Sequence, residues 1–405
     1  MTDPDAPAAD SSGSDTARAA DSVSEPSRDP RRLAQGPLPP PFPAPGHRLA
    51  LPGFAIGHGS DLAGKTGVTV ILCPDGALGA AEVRGSATGT RQFDSLVLGH
   101  HVASRAHAVV LAGSSGFGLS AAEPVVRHLE AGGHGFDTGL GVVPIVPTAI
   151  LFDLAFGDAG ARSGGALVES AVEEAQRGLD GGVQAGSGAE VAVGSVGAGT
   201  GATVGKARGP ECAMKGGFGF ASLTSTTPGL DPERRVIVAA AVAVNAFGDV
   251  RDPFAAAGSA GPGGPADSGG GLADPESLGL LAACRAAPDS RELVGSHRVA
   301  AALPPDLVHP WQGNTTLAVV MTDAALTKAA ALKVCQMAFG GLYRTLSPAL
   351  SLYDGDLVVT LSRGDKPAHV NQVGVLAEHA VAHAIVRAVT EADGFGVLPA
   401  VRDLG

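Results

Sequence analysis

Along most of the chain, short runs of branched apolar residues alternate with longer stretches whose apolar positions recur at helical spacing. Residues 67–73 (GVTVILC), 106–111 (AHAVVL), 191–196 (VAVGSV), 235–245 (RVIVAAAVAVN) and 357–361 (LVVTL) predict strands. Residues 118–131, 167–178, 327–347 and 373–391 predict helices. Several strand pairs leave no room for a helix between them. The pattern therefore predicts a layered α/β protein with mixed sheets, not a purely parallel doubly wound one.

The pattern lapses in three places. Residues 1–46 are dominated by Asp, Ser, Pro and Ala and end in PLPPPFPAPG, which predicts a disordered tail before a globular region. Residues 254–272 (FAAAGSAGPGGPADSGGGL) are low in complexity and predict an insertion or surface loop. Residues 303–313 carry Pro304, Pro305 and Pro310 and form a loop that leads into an apolar run.

Composition narrows the function classes. With 405 residues, 44% of them hydrophobic, the chain can bury a large core. A formal net charge of -12 without a basic stripe argues against binding of a phosphate backbone. Cys73, Cys212, Cys284 and Cys335 lie far apart, and the 12 histidines form no HExxH-like array, so neither a metal nor a cofactor is expected. The N-terminus lacks the basic start and apolar run of a secretory signal, and no uninterrupted apolar stretch reaches bilayer length. A cytoplasmic protein is expected.

Two glycine-rich runs invite a nucleotide reading. Ser195–Ala202 contains G-x-G-x-x-A after a predicted strand, but Gly209-Pro210 ends any helix that would follow, and no acidic residue stands at the expected distance. Gly201–Lys206 approaches a P-loop with one residue too few between its glycines, and Ala207 stands where a metal-binding hydroxyl belongs. Among 59 glycines such matches arise by chance, and tight turns are the better account.

The junction Gly313-Asn314-Thr315-Thr316-Leu317 places a threonine where a loop enters an apolar strand. On its own, Thr315 is a strand opener. If the Asn314–Thr315 bond breaks, Thr315 becomes a hydroxyl nucleophile carrying its own α-amine, a known route to amide hydrolysis. Other residues permit two readings as well. Asn245 ends an apolar strand, a costly place for an amide unless its polar atoms are used. Asp354 and Asp356 flank Gly355 in a turn-like Asp-Gly-Asp, close enough to titrate as a pair. Lys215 lies on a glycine-rich turn, where a lysine is ordinarily solvated.

Taken in order, Phe136-Asp137-Thr138-Gly139, Pro144-Ile145-Val146-Pro147, Val196-Gly197-Ala198-Gly199-Thr200-Gly201, Met214-Lys215-Gly216-Gly217, Val244-Asn245-Ala246-Phe247-Gly248-Asp249-Val250, Asn314-Thr315-Thr316 and Asp354-Gly355-Asp356 form a specific set. The sequence resembles the DmpA-like peptidases from about Leu51 to Glu391. That family holds the L-aminopeptidase/D-esterases, the β-peptidyl aminopeptidases and the 6-aminohexanoate (nylon) oligomer endohydrolases. The chain looks most like the last branch, whose nucleophile is threonine.

The resemblance implies an αββα sandwich of the N-terminal-nucleophile type, a single hydrolase domain over 47–405. It implies self-cleavage into an α-chain 1–314 and a β-chain 315–405, which stay together and assemble into tetramers. Thr315 would be the nucleophile, its freed amine the base, and Lys215 the active-site lysine. Asn245 would serve the oxyanion, and Asp354 and Asp356 would hydrogen-bond around the nucleophile. The implied substrates are small peptides or ω-amino-acid oligomers. Aminopeptidase members carry a tyrosine in the stretch that here runs from Pro144 to Asp153; this chain has Ile150, Leu151 and Phe152. Acyl transfer of the ornithine acetyltransferase kind is a second expectation, weakened because the typical Lys-Gly-x-x-Met-Ile-x-Pro lead-in is missing before Thr315. A catalytically silent assembly protein is the third.

Overall fold

The main sheet contains nine strands: β1 (Ala55–Asp61), β2 (Thr66–Val83), β3 (Thr90–Arg91), β4 (Arg105–Ala112), β5 (Thr148–Ile150), β6 (Gly217–Thr224), β7 (Ile237–Asn245), β8 (Thr315–Ala324) and β9 (Leu357–Lys366). The computed structural model describes residues 42, 44–181, 188–226, 230–255, 279–306 and 313–404. Nearly all of the predicted tail, most of the predicted 254–272 insertion and residues 307–312 of the Pro-rich loop lie outside them.

The strand order is β6-β7-β8-β9-β2-β4-β5-β3, with β1 also on β2. The long β2 makes this one hydrogen-bonded path serve two layers. Its first part pairs antiparallel with β1 and β4, and its last residues, Leu78–Val83, pair antiparallel with β9. β8 runs antiparallel to β7 but parallel to β9, so the sheet is mixed, as expected.

Side-chain alternation along each strand then sorts the core. Phe218, Phe220, Ala241, Val319 and Val359 from one half meet Ile71, Val109 and Leu111 from the other, all buried between the layers. Val68, Val70 and Val110 face outward under the helices α1 (Ala122–Ala131) and α2 (Ala166–Asp180). Val238, Ala240, Val242, Val320 and Val358 lie under α3 (Lys328–Thr345) and α4 (Val370–Thr390). The result is the expected αββα sandwich. The approach of α4 to β6 depends on glycine: a Cβ at Gly217 or Gly219 would run into the carbonyls of Ala388 or Ala384.

Four expectations need correction. Residues 191–196 form no strand; Ala189–Glu190 pairs briefly, and Gly194 makes only an isolated bridge to Phe218. Gly194 has φ +88°, which breaks the extended run. The helix expected from residue 118 begins at Ala122 after a 3₁₀ stretch, with Pro124 in its first turn, where the missing N–H costs least. Lys215 is not on a solvated turn but in the buried two-residue strand Met214–Lys215. Finally, α4 is by length and composition apolar enough to cross a membrane, with a mean hydropathy of 1.3. Its apolar faces are covered here by α3 and the sheet, as in a core helix.

Candidate active site

Strand register assembles the site. In the antiparallel pair β7–β8, Asn245 at the end of one strand is the partner of Thr315 at the start of the other. β9 lies beside β8 in parallel, so Asp354-Gly355-Asp356, just ahead of β9, arrives at the same end. Asn314 and Asp354 extend that pairing as an isolated parallel bridge. Every one of these residues is buried.

The Asn314–Thr315 bond is intact and closely held. The Asn314 amide donates to the Tyr353 carbonyl at 2.9 Å, and its own carbonyl accepts the Gly355 N–H at 2.7 Å. The same carbonyl oxygen accepts the Thr315 hydroxyl. Gly355 has no room for a side chain, since a Cβ there would stand 2.7 Å from both Thr315 Oγ1 and the Ala87 carbonyl oxygen.

The two carboxylates serve different partners. Asp354 Oδ1 accepts from the Phe247 amide at 3.0 Å, and Oδ2 accepts from the Ser351 amide at 2.9 Å and hydroxyl at 2.6 Å. Asp356 Oδ1 accepts the Thr316 amide at 2.6 Å and Oδ2 the Leu350 amide at 3.4 Å. Burial raises the pKa of both. For Asp356 the neighbouring Asp354 charge adds to burial and brings it to about 8, so at neutral pH the pair retains a proton.

Asn245 is fully hydrogen-bonded for its cost. Nδ2 donates to the Phe152 carbonyl at 2.8 Å, and Oδ1 accepts from the Thr203 amide at 3.0 Å and Lys206 Nζ at 2.9 Å. Lys206 Nζ also reaches the Asn245 carbonyl oxygen at 3.0 Å. Lys215 Nζ instead donates to three carbonyls, Gly199 at 2.8 Å, Ala202 at 2.8 Å and Gly216 at 3.0 Å, with the Phe156 ring centroid 5.4 Å away. Burial pushes both ammonium groups down to about 7; Asp153 opposes that shift at Lys215, and Asp354 leads the carboxylates that oppose it at Lys206.

The structure thus brings Asn314, Thr315, Asn245, Asp354 and Asp356 to one point. It sets Lys215 behind them, supporting the loop whose next residue, Thr203, holds Asn245. Sequence reasoning missed Lys206 as a site residue. Its signal was the near-P-loop it terminates, a lone cation in an apolar glycine-rich run. A cavity of about 330 Å³ opens beside Gly313, walled by Phe152, Phe156, Pro210 and Leu398, with Asp153 and Lys206 as its charged groups. Among the described residues, no three His, Cys, Asp or Glu side chains are grouped to hold a metal ion.

With this geometry in place, the likenesses to known proteins can be set beside it. The family model for peptidase family S58 matches residues 50–398. An uncharacterized aminopeptidase of Mycobacterium leprae is 36% identical over 373 residues, which cover 87% of this chain and 89% of that protein. The 6-aminohexanoate-oligomer endohydrolase of Paenarthrobacter ureafaciens is 31% identical over 153 residues, 37% of this chain and 39% of that protein. Among solved structures, a Burkholderia sp. β-aminopeptidase matches with a TM-score of 0.56 at 19% identity, covering 92% of this chain and 96% of that one. The L-aminopeptidase D-Ala-esterase/amidase of Ochrobactrum anthropi, described as a variant of the Ntn hydrolase fold, matches with a TM-score of 0.55 at 16% identity. It covers 88% of this chain and 89% of that one. At such identities the two structures bear on the fold.

Proposed function

As a member of peptidase family S58, this chain is a peptide-bond hydrolase, and we propose that it makes its own nucleophile by cutting the Asn314–Thr315 bond. The observation that carries this reading is the Asn314 carbonyl oxygen, held by the Gly355 N–H and the Thr315 hydroxyl in a buried setting. Thr315 Oγ1 attacks the Asn314 carbonyl carbon, and negative charge develops on an oxygen that already receives the Gly355 donor. The C–N bond then breaks, the Thr315 nitrogen takes up the hydroxyl proton, and water hydrolyses the ester to leave an Asn314 carboxylate. The products are an α-chain 1–314 and a β-chain 315–405.

In the mature protein the same oxygen attacks a substrate carbonyl, with the freed α-amine as base. An α-amine ordinarily titrates at about 7.7–8.0, close to where a general base works best. Asn245, the cross-strand partner of Thr315, offers Nδ2 to the substrate oxyanion. The Asp354 and Asp356 carboxylates fix the backbone on either side through the amides of Phe247 and Thr316.

The substrates we propose are short peptides opened at an aminoacyl bond. The aminopeptidase relative, matched over most of both chains, supports this. Hydrolysis of ω-amino-acid oligomers is a second reading, supported by the partial likeness to the 6-aminohexanoate-oligomer endohydrolase. Tetramers of the two-chain unit are the assembly expected from the resemblance.

Denaturing electrophoresis of the purified protein tests the first step. Two bands are expected, the smaller beginning Thr-Thr-Leu-Ala-Val by N-terminal sequencing. Thr315→Ala should give a single uncut band and no hydrolysis; cleavage persisting in that variant would place the nucleophile elsewhere. Assay of the mature protein on L-aminoacyl, β-aminoacyl and 6-aminohexanoyl amides decides between the substrate readings.

A further inference from the structure

We propose that Lys206 is a positioning residue, whose ammonium fixes the Asn245 amide so that Nδ2 rather than Oδ1 faces the reacting carbonyl oxygen. The inference rests on the reading of Asn245 as oxyanion donor and adds the group that makes it one. A carboxamide has a donor end and an acceptor end of nearly equal shape, so a flip would turn an oxyanion donor into a repelling acceptor. Here the acceptor end is claimed by the Thr203 amide at 3.0 Å and Lys206 Nζ at 2.9 Å. An ammonium and a backbone N–H have donors only, and neither tolerates an NH₂ group in place of Oδ1. The flipped amide is thereby excluded.

Lys206 is itself held for the purpose. Gly205 N donates to the Gly248 carbonyl and Lys206 N to the Phe247 carbonyl, both at 2.9 Å, which pins this segment against the residues just beyond Asn245. The side chain then turns back to bond both oxygens of Asn245, at 3.0 Å and 2.9 Å. A buried ammonium on two neutral oxygens is a poor stabilising device, because desolvation outweighs what such contacts return. An apolar side chain would fill the same space without that cost. A cation there does, however, draw electron density through the amide and strengthen Nδ2 as a donor, on the side of a charge that develops in a water-poor site. Lys215 cannot do this, since its ammonium bonds three main-chain carbonyls and no active-site side chain. The glycine-rich run that imitates a P-loop thus acquires a purpose: it delivers the two lysines to different depths of one site.

A double-mutant cycle tests the proposal on the mature full-length protein, with an L-aminoacyl p-nitroanilide as substrate. Asn245→Ala should lower kcat by about 10²–10³-fold, as loss of an oxyanion donor does. Lys206→Met should lower kcat by roughly tenfold or more with KM nearly unchanged, and Lys206→Gln, which keeps a donor, should recover part of that loss. The Asn245→Ala/Lys206→Met double variant should be no slower than Asn245→Ala alone. Additive losses, or an undiminished kcat in Lys206→Met, would overturn the role of Lys206. An undiminished kcat in Asn245→Ala would instead overturn the oxyanion reading, and the two failures are told apart. For a variant that stays uncut, the same cycle is read on the rate at which the two fragments appear.

Discussion

Thr315, Asn245, Asp354 and Asp356 could be picked out from their order along the chain because each stands where an apolar strand starts or ends, a position that sequence patterning marks. Lys206 could not. Its importance depends on a loop folding back across the end of β7, and nothing in a run of glycines and alanines announces that contact. Gly355 was visible only as the middle of a turn, yet its N–H lies 2.7 Å from the Asn314 carbonyl oxygen. Gly355→Ala places a Cβ against Thr315 Oγ1 and the Ala87 carbonyl, so the donor must shift. We expect the appearance of the two fragments, followed by electrophoresis over time, to slow by about tenfold, ~1.4 kcal/mol in the barrier. Asp249, near the end of the Asn245 motif, offers a separate test. It accepts the Cys284 amide at 2.9 Å and the Ser296 hydroxyl at 2.6 Å, and burial pushes its carboxyl up to about 6. A carboxyl raised in the folded state favours folding below its unfolded pKa, and that contribution is lost as pH rises through the folded one. Thermal melts should therefore show Asp249→Asn removing a fall in stability between about pH 4 and pH 6, on the order of a few kcal/mol. A slope unchanged by the substitution would count against it.

Strands built from branched residues were the easiest to foresee, and β7, β8 and β9 start within two residues of the expected places. β2 was foreseen only in its first third. Its Pro74-Asp75-Gly76 reads as a turn, whereas the chain continues through it with a register shift between Leu72 and Ala77 and goes on to pair with β9. A bulge of this kind looks like a strand end in one dimension, because the same residues serve both. β6 was hidden for another reason. Its glycines, at positions 217 and 219, exist for the helix above them and not for the strand. Gly219→Ala should force α4 away from the sheet and lower unfolding stability by about 1–3 kcal/mol in denaturant titrations. An unchanged midpoint would mean that the helix and strand yield without cost.

For the molecule as a whole, the layered order was implied by the family resemblance, and the register of β7 against β8 is what gives it chemical meaning. The proposed cut lies at the entrance to β8, which has β7 on one side and β9 on the other. After cleavage the small fragment still supplies two neighbouring strands and both helices α3 and α4, while the large one supplies their partners. The fragments should therefore coelute in native chromatography, at the size of a tetramer of two-chain units, and separate only in denaturant. Elution of the small fragment alone would contradict this arrangement. The placement of Gly355 has a further consequence, in the life of the chain on the ribosome. The donor that touches the Asn314 carbonyl is made forty residues after Thr315, and β9 follows it. A nascent chain that has just completed the Asn-Thr bond possesses the nucleophile and the bond to be cut, but not the group that receives the charge. Maturation must wait for synthesis to be nearly complete, so no free α-chain is released half-made.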